Sequence, residues 1–142
     1  MKDYPQLRLG NQLCFPLYAC SKEIVRRYAP LLQPYNLTYT HYIVMMVLWE
    51  KKEVTVSDLG RQLYLDSGTL TPVLKKLESH GYVVRSRRQD DERCVVVSPT
   101  EKGWELQEKL SDVPAQIGSC MNLSPEDAAT LYGLLHKVLG SF

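Results

Sequence analysis

Between Leu65 and Arg93 two patterns lie back to back, and together they leave few folds open. Leu70, Val73, Leu74 and Leu77 recur at the i, i+3, i+4, i+7 spacing that lines four apolar side chains along one face of a helix. Ser67, Gly68, Thr69, Thr71, Lys75 and Lys76 are left to face outward, and Gly81 ends the helix. Pro72, one turn in, leaves a carbonyl near Gly68 without an intrahelical donor, so that end must be open to water or to a bound partner. Next come Tyr82-Val83-Val84-Arg85 and Cys94-Val95-Val96-Val97-Ser98. These β-rich runs flank the turn formers Gln89-Asp90-Asp91-Glu92 and predict a hairpin with a charged tip. A helix with a polar front and an apolar back, followed by such a hairpin, is how a winged helix-turn-helix is written in sequence, and it points to duplex DNA as the partner.

The flanks supply helices. Upstream, Thr55 or Ser57 opens a short helix with Val56, Leu59 and Leu63 inward, and the Leu65-Asp66-Ser67 turn joins it to the reading helix. Thr38 caps a helix running to about Glu50, whose Tyr42, Ile43, Met45, Met46, Val47 and Leu48 leave little polar face, as a central buried helix requires. A long first helix is expected from about Leu7 to Leu32, with Leu13, Leu17, Ile24, Val25 and Tyr28 on one side. Pro16 implies either that its regular part begins at Phe15/Pro16 or that it is kinked there. Downstream, Thr100 begins a helix to about Asp112, and Pro114 interrupts the chain before Gly118. A last helix opens at Ser124-Pro125-Glu126-Asp127 and carries Leu131, Leu134, Leu135 and Val138.

The expected fold is therefore mainly α: one domain over residues 1–142, with the winged helix-turn-helix at about 54–100. Its flanks, about 7–34 and 100–142, are dimerisation helices whose stripes are too wide for a monomer and call for a two-fold partner.

At 142 residues and 44% apolar content the chain can bury a core, but a net charge of +1 means that any phosphate-binding surface must come from local segregation of charge. No signal-peptide pattern or bilayer-length apolar run is present, and Cys14, Cys20, Cys94 and Cys120 are scattered with no Cys-x-x-Cys pair. Free thiols in the cytoplasm, with no membrane contact, are expected. His41, His80 and His136 are far apart, and no Cys/His spacing suits zinc. With no phosphate-cradling glycine loop, serine nucleophile motif or paired carboxylates, neither a cofactor nor independent enzymatic activity is expected.

Over nearly its whole length the chain resembles the MarR family of winged-helix regulators, and within it the OhrR branch of organic-hydroperoxide sensors. The resemblance is carried by Gln12-Leu13-Cys14-Phe15 with Leu17-Tyr18-Ala19, by Leu37-Thr38-Tyr39, by Leu65-Asp66-Ser67-Gly68-Thr69-Leu70-Thr71-Pro72 and by Asp91-Glu92-Arg93. It implies that Cys14 is a peroxide-reactive thiolate and that Tyr28 and Tyr39, with Tyr18 nearby, look like the tyrosines that support it from the partner subunit. Pro16 departs from the Ala or Leu more usual in that branch. The resemblance also gives Cys120 a position comparable to the resolving thiol of two-cysteine members, the alternative being resolution by a small thiol.

The chemistry is consistent with those roles. Only a thiolate attacks a peroxide usefully, and both a helix N-terminus and phenolic donors favour that anion. The product is a sulfenic acid that a second thiol traps. Cys20 and Cys94 read as packing residues. On DNA, Ser67, Thr69, Thr71 and Lys75 are expected at base edges and phosphates, and Lys76, Arg85, Arg87 and Arg88 at phosphate. Arg93 is expected in the minor groove with its guanidinium held by Asp91.

The reading that follows is a homodimeric repressor on a pseudo-palindromic operator, released when organic hydroperoxide oxidises Cys14. Its rivals are a MarR-type repressor answering to a phenolic or other small ligand, and a thiol-dependent peroxidase.

Overall fold

Four side-chain caps set the framework of the computed structural model, which describes residues 1–142. Thr55 Oγ1 accepts from the Asp58 amide (3.1 Å) and settles the start of α3, Val56–Leu63. Asp66 accepts from Thr69 N (2.7 Å) and starts the reading helix α4, Ser67–Ser79. Thr100 and Ser124 cap α5, Glu101–Lys109, and the last helix α7, Pro125–Leu139, in the same way.

Ahead of these lie α1, Cys14–Leu32, and α2, Tyr39–Lys51. A sheet of order β1-β3-β2 joins Val54–Thr55, Val95–Pro99 and Val83–Arg87, all antiparallel, with Val97 opposite both Val54 and Arg85. The hairpin β2–β3 is the expected wing. β1 is an addition to the expected scheme, two residues long.

The core forms around α2. Tyr42, Val44, Met45 and Leu48 meet Leu59 of α3, Leu70, Leu74 and Leu77 of α4, Val83 and Val97 of the sheet, and Leu106 of α5. Each fully buried leucine contributes about 2 kcal/mol of transfer free energy. The turn between α3 and α4 is tight enough to demand Gly60, where a Cβ would sit 2.8 Å from the Leu65 carbonyl oxygen. Gly103 lets α5 press on the wing, since a Cβ there would lie 2.2 Å from the Tyr82 oxygen, and Trp49 Nε1 donates to the Gly103 carbonyl at 2.9 Å.

Two expectations about the helices change. The first helix begins at Cys14, next to the Phe15/Pro16 start that Pro16 allowed and not near Leu7, because residues Pro5–Leu7 and Leu9–Asn11 make separate 3₁₀ turns. Side-chain amides hold those turns, with Asn11 Nδ2 donating to the Pro5 oxygen (2.8 Å) and Gln12 Nε2 to those of Gln6 (2.7 Å) and Arg8 (3.1 Å). Pro16 is then the third residue of the helix, where its missing N–H costs nothing.

Pro114, expected to interrupt the chain, instead stands in the first turn of a further helix, α6, Val113–Ser119, which buries Val113 and Ile117 against the core. Three helices therefore follow the wing.

The ends of the chain are unlike its centre. No residue of α7 is buried, Tyr132 is 66% and Leu134 57% exposed, and Leu13, Phe15, Leu17 and Val25 at the α1 end also face outward. No helix is long and apolar enough to cross a membrane.

Candidate functional site

Cys14 is the first residue of α1, and its thiol is exposed beside the amides that a helix N-terminus leaves unpaired. Tyr18, one turn on, lies on the same face, with Lys22 Nζ 5.2 Å from its ring centre.

Tyr28 and Tyr39 are elsewhere. Their rings pack at 4.7 Å between centroids, and Tyr28 meets buried Tyr42 at 5.6 Å. Burial raises all three phenols above the ordinary value, and neighbouring tyrosines add to the effect at Tyr28 and Tyr42. They therefore stay O–H donors at neutral pH. Along the unbroken helix Tyr28 stands about 21 Å from Cys14, at 1.5 Å of rise per residue. That distance rules out contact between Tyr28 and Cys14 within one chain.

An apolar groove of about 480 Å³ runs from Leu13 and Leu17 past Cys20 and Tyr39 to Leu131 and Leu135. Cys20, expected as a packing residue, is exposed on its wall. Cys94 is half-buried, as expected of packing, and its backbone closes the wing loop by accepting from the Arg88 amide (2.9 Å) and donating to the Asp91 oxygen (3.0 Å). Cys120 caps α6, exposed, with its Sγ 3.3 Å from the Gln116 carbonyl oxygen. All four thiols are free within the chain.

On the opposite face α4 presents Ser67, Thr69, Lys75 and Lys76 to solvent, whereas Thr71, expected to face outward, is half-buried. The Thr69 amide holds the Asp66 carboxyl below its usual range, so the cap stays ionised.

The wing arginines divide. Arg85, expected at phosphate, is clamped on Glu78 through Nε (3.2 Å) and Nη2 (3.1 Å), bracing β2 against the end of α4 and depressing that carboxyl. Arg87 donates to the Glu92 carbonyl (2.7 Å) and shapes the loop. Arg88 lies 3.7 Å from Asp90. Asp91 does not grip the Arg93 guanidinium as expected. Its carboxylate accepts from the Arg93 backbone N–H (3.0 Å) in an Asx turn, which leaves the Arg93 side chain free to reach outward.

Two participants escaped the sequence reading. Glu78 had a signal, an acid at the end of a helix that turns back into an arginine-bearing strand. Arg61, on α3 and paired with Asp58, shares a polar trough with Lys51 and Arg88; its only signal was its place on the helix before the reading helix.

Residues 26–110 match the family model described as transcriptional regulator SarA/Rot. The organic hydroperoxide resistance transcriptional regulator of Bacillus subtilis (strain 168) is 46% identical over 136 residues, 96% of this chain and 92% of that protein. Reduced AbfR bound to DNA superposes with a TM-score of 0.80 at 37% identity, covering 96% of this chain and 95% of that one. AbfR, a protein of Staphylococcus epidermidis, gives only 0.67 in its disulfide form, at 35% identity over 94% of each chain. A cysteine-to-serine mutant of MarR from E. coli, complexed with operator DNA, gives 0.84 at 26% identity, over 97% of this chain and 99% of that one. With its winged head, exposed terminal helices and these relatives, the chain belongs to the MarR-type, SarA/Rot-related family of winged-helix transcriptional regulators, in the branch of the organic hydroperoxide resistance regulators.

Proposed function

We propose that this chain is a homodimeric, cytoplasmic repressor that occupies a pseudo-palindromic operator while Cys14 is reduced and leaves it when an organic hydroperoxide oxidises that sulfur. The separation along α1 carries the reading. Cys14 sits at one end of the helix and the free phenols of Tyr28 and Tyr39 attach to the other, so a two-fold partner is what completes the centre.

In this reading the winged head, about residues 54–100, reads DNA, and the arms, about 7–34 and 100–142, join the copies. Ser67 and Thr69 face the bases, with Thr71 behind them, while Lys75, Lys76, Arg87 and Arg88 face phosphate. Arg93 enters the minor groove, and Arg85 braces the wing from within.

The thiolate attacks one peroxide oxygen; the O–O bond breaks, the sulfur becomes a sulfenic acid, and the other oxygen leaves as an alkoxide that takes a proton to give the alcohol. A second thiol then displaces water to form a disulfide, and Cys120, exposed at the end of α6, is the residue of this chain proposed for that part. The reaction is stoichiometric in protein and not a catalytic turnover.

Oxidation removes the anion that the tyrosines hold and re-packs the arms, which changes the spacing of the two heads. The relatives support this. One is named for organic hydroperoxide resistance, and the chain superposes on DNA-bound AbfR, reduced at 0.80 and overoxidized at 0.79, better than on disulfide-formed AbfR at 0.67, so a disulfide is the oxidised form expected to change the shape. A hundredfold loss of operator affinity needs only about 3 kcal/mol between the two states.

Mobility shift with cumene hydroperoxide tests it. Wild type is expected to release DNA and Cys14→Ser to hold it. Release retained in Cys120→Ser assigns the second thiol to a small molecule. Release in Cys14→Ser, or sustained peroxide consumption with a reductant, overturns the proposal.

A further inference from the structure

His41 is 6% exposed and stands third in α2, where a capping box usually carries Glu or Gln. Its Nδ1 accepts from the Thr38 backbone N–H at 3.0 Å and lies 2.7 Å from Thr38 Oγ1. An amide can only donate, so Nδ1 carries the lone pair and the neutral ring keeps its proton on Nε2. A second proton has to go on Nδ1, where it meets the Thr38 N–H head on. The backbone tie is then lost, the new Nδ1 proton can turn only to Thr38 Oγ1, and the first turn of α2 has one fewer partner for its orphan amides.

The surroundings oppose that proton. Lys76 of α4 and His80 at its end face the imidazole, and beyond His80 lie the Tyr82 ring at 6.3 Å and Lys102, whose Nζ donates to the His80 carbonyl at 2.7 Å. From α1 comes Tyr28, stacked on Tyr39, and the adjoining cavity of about 660 Å³ has no carboxylate in its wall. Burial first, then Lys76 and His80, hold the ring below its ordinary value of 6.5, so on acidification the unfolded chain takes the proton before the folded one. The stability that the tie supplies is therefore complete above about 6.5 and is lost as the pH falls toward the folded value.

Tyr39 is the first residue of that turn. We propose that His41 is an acid-released latch: neutral, it locks the start of α2 and with it Tyr39; protonated, it lets the turn fray and takes Tyr39 out of register with the partner subunit's Cys14. The coupling to sensing rests on the role given to Tyr39 above; the latch itself does not.

Amide exchange of the reduced dimer, read by NMR at Thr38 and Tyr42 at pH 7.5 and 5.5, tests the latch on wild type, His41→Gln and His41→Ala. After correction for intrinsic rates, wild-type protection at Thr38 is expected to fall about fivefold on acidification, the size of a lost helix cap. His41→Gln, whose Oε1 restores the acceptor without titrating, stays flat, and His41→Ala is unprotected at both values. A flat wild type, or an equal acid response in His41→Gln, overturns the latch.

Release of operator by cumene hydroperoxide at the same two pH values tests the coupling. Wild type is expected to slow more than His41→Gln, the ratio separating His41 from the general effect of acid on thiols, and equal slowing overturns it. No release at any pH defeats the sensing role and the coupling with it, while exchange still decides the latch.

Discussion

Leu70, Leu74 and Leu77 in the winged head are shut away by their own chain, whereas Leu131, Leu134 and Leu135 of α7 bury nothing fully. The head brings a complete core, capped helices and a braced hairpin. The arms bring stripes that their own chain leaves exposed, which the proposed dimer would cover. The two regions therefore answer to different forces: the head's fold is intramolecular, and the arms' packing is a property of the pair. In the proposed mechanism a chemical change at Cys14, on an arm, needs only to alter how two copies meet for the heads to move without unfolding.

Four variants break or sharpen that contrast. The largest effect is expected from Leu131→Glu combined with Leu135→Glu, which places charge on the arm stripe. Sedimentation should report monomers, and operator affinity should fall about a thousandfold because two half-sites are no longer joined. Cooperative melting of the head should persist; a stable dimer would erase the distinction.

Next, Leu74→Ala is expected to cost about 3 kcal/mol in denaturant unfolding through the cavity it leaves, with self-association of the folded fraction unchanged. Smallest is the pair Arg93→Ala and Arg85→Ala. The first should weaken operator binding about tenfold and flatten its salt dependence, because that side chain is free for DNA. The second should leave the salt dependence alone and lower only the melting temperature, because its guanidinium is already spent on Glu78. Equal behaviour of the two arginines would mean that the wing has no internal brace.

The legible parts of the chain were those where spacing and local chemistry suffice. The α4 stripe, the caps at Thr38, Thr55, Thr100 and Ser124 and the hairpin follow from neighbours within a few residues. β1 did not, because so short a strand exists only by pairing with Val96 and Val97, far along the chain. Pro114 misled because the same missing N–H that ends one helix begins another, and only the burial of Val113 and Ile117 decides between them.

At the site, the residue types were readable and their pairings were not. Arg85 turned to Glu78 and Asp91 turned to its own backbone, since side-chain direction in a hairpin depends on twist and register. The tyrosine pair emerged from resemblance, and what the fold adds is the length of helix separating it from Cys14.

That length has a genetic corollary. In the proposed dimer, a mixed pair of a Cys14→Ser chain and a chain carrying Tyr28→Phe and Tyr39→Phe combines two defective polypeptides, yet one of its two composite centres would have an unaltered sulfur facing unaltered phenols. Two alleles that each fail alone should rescue one another when co-expressed.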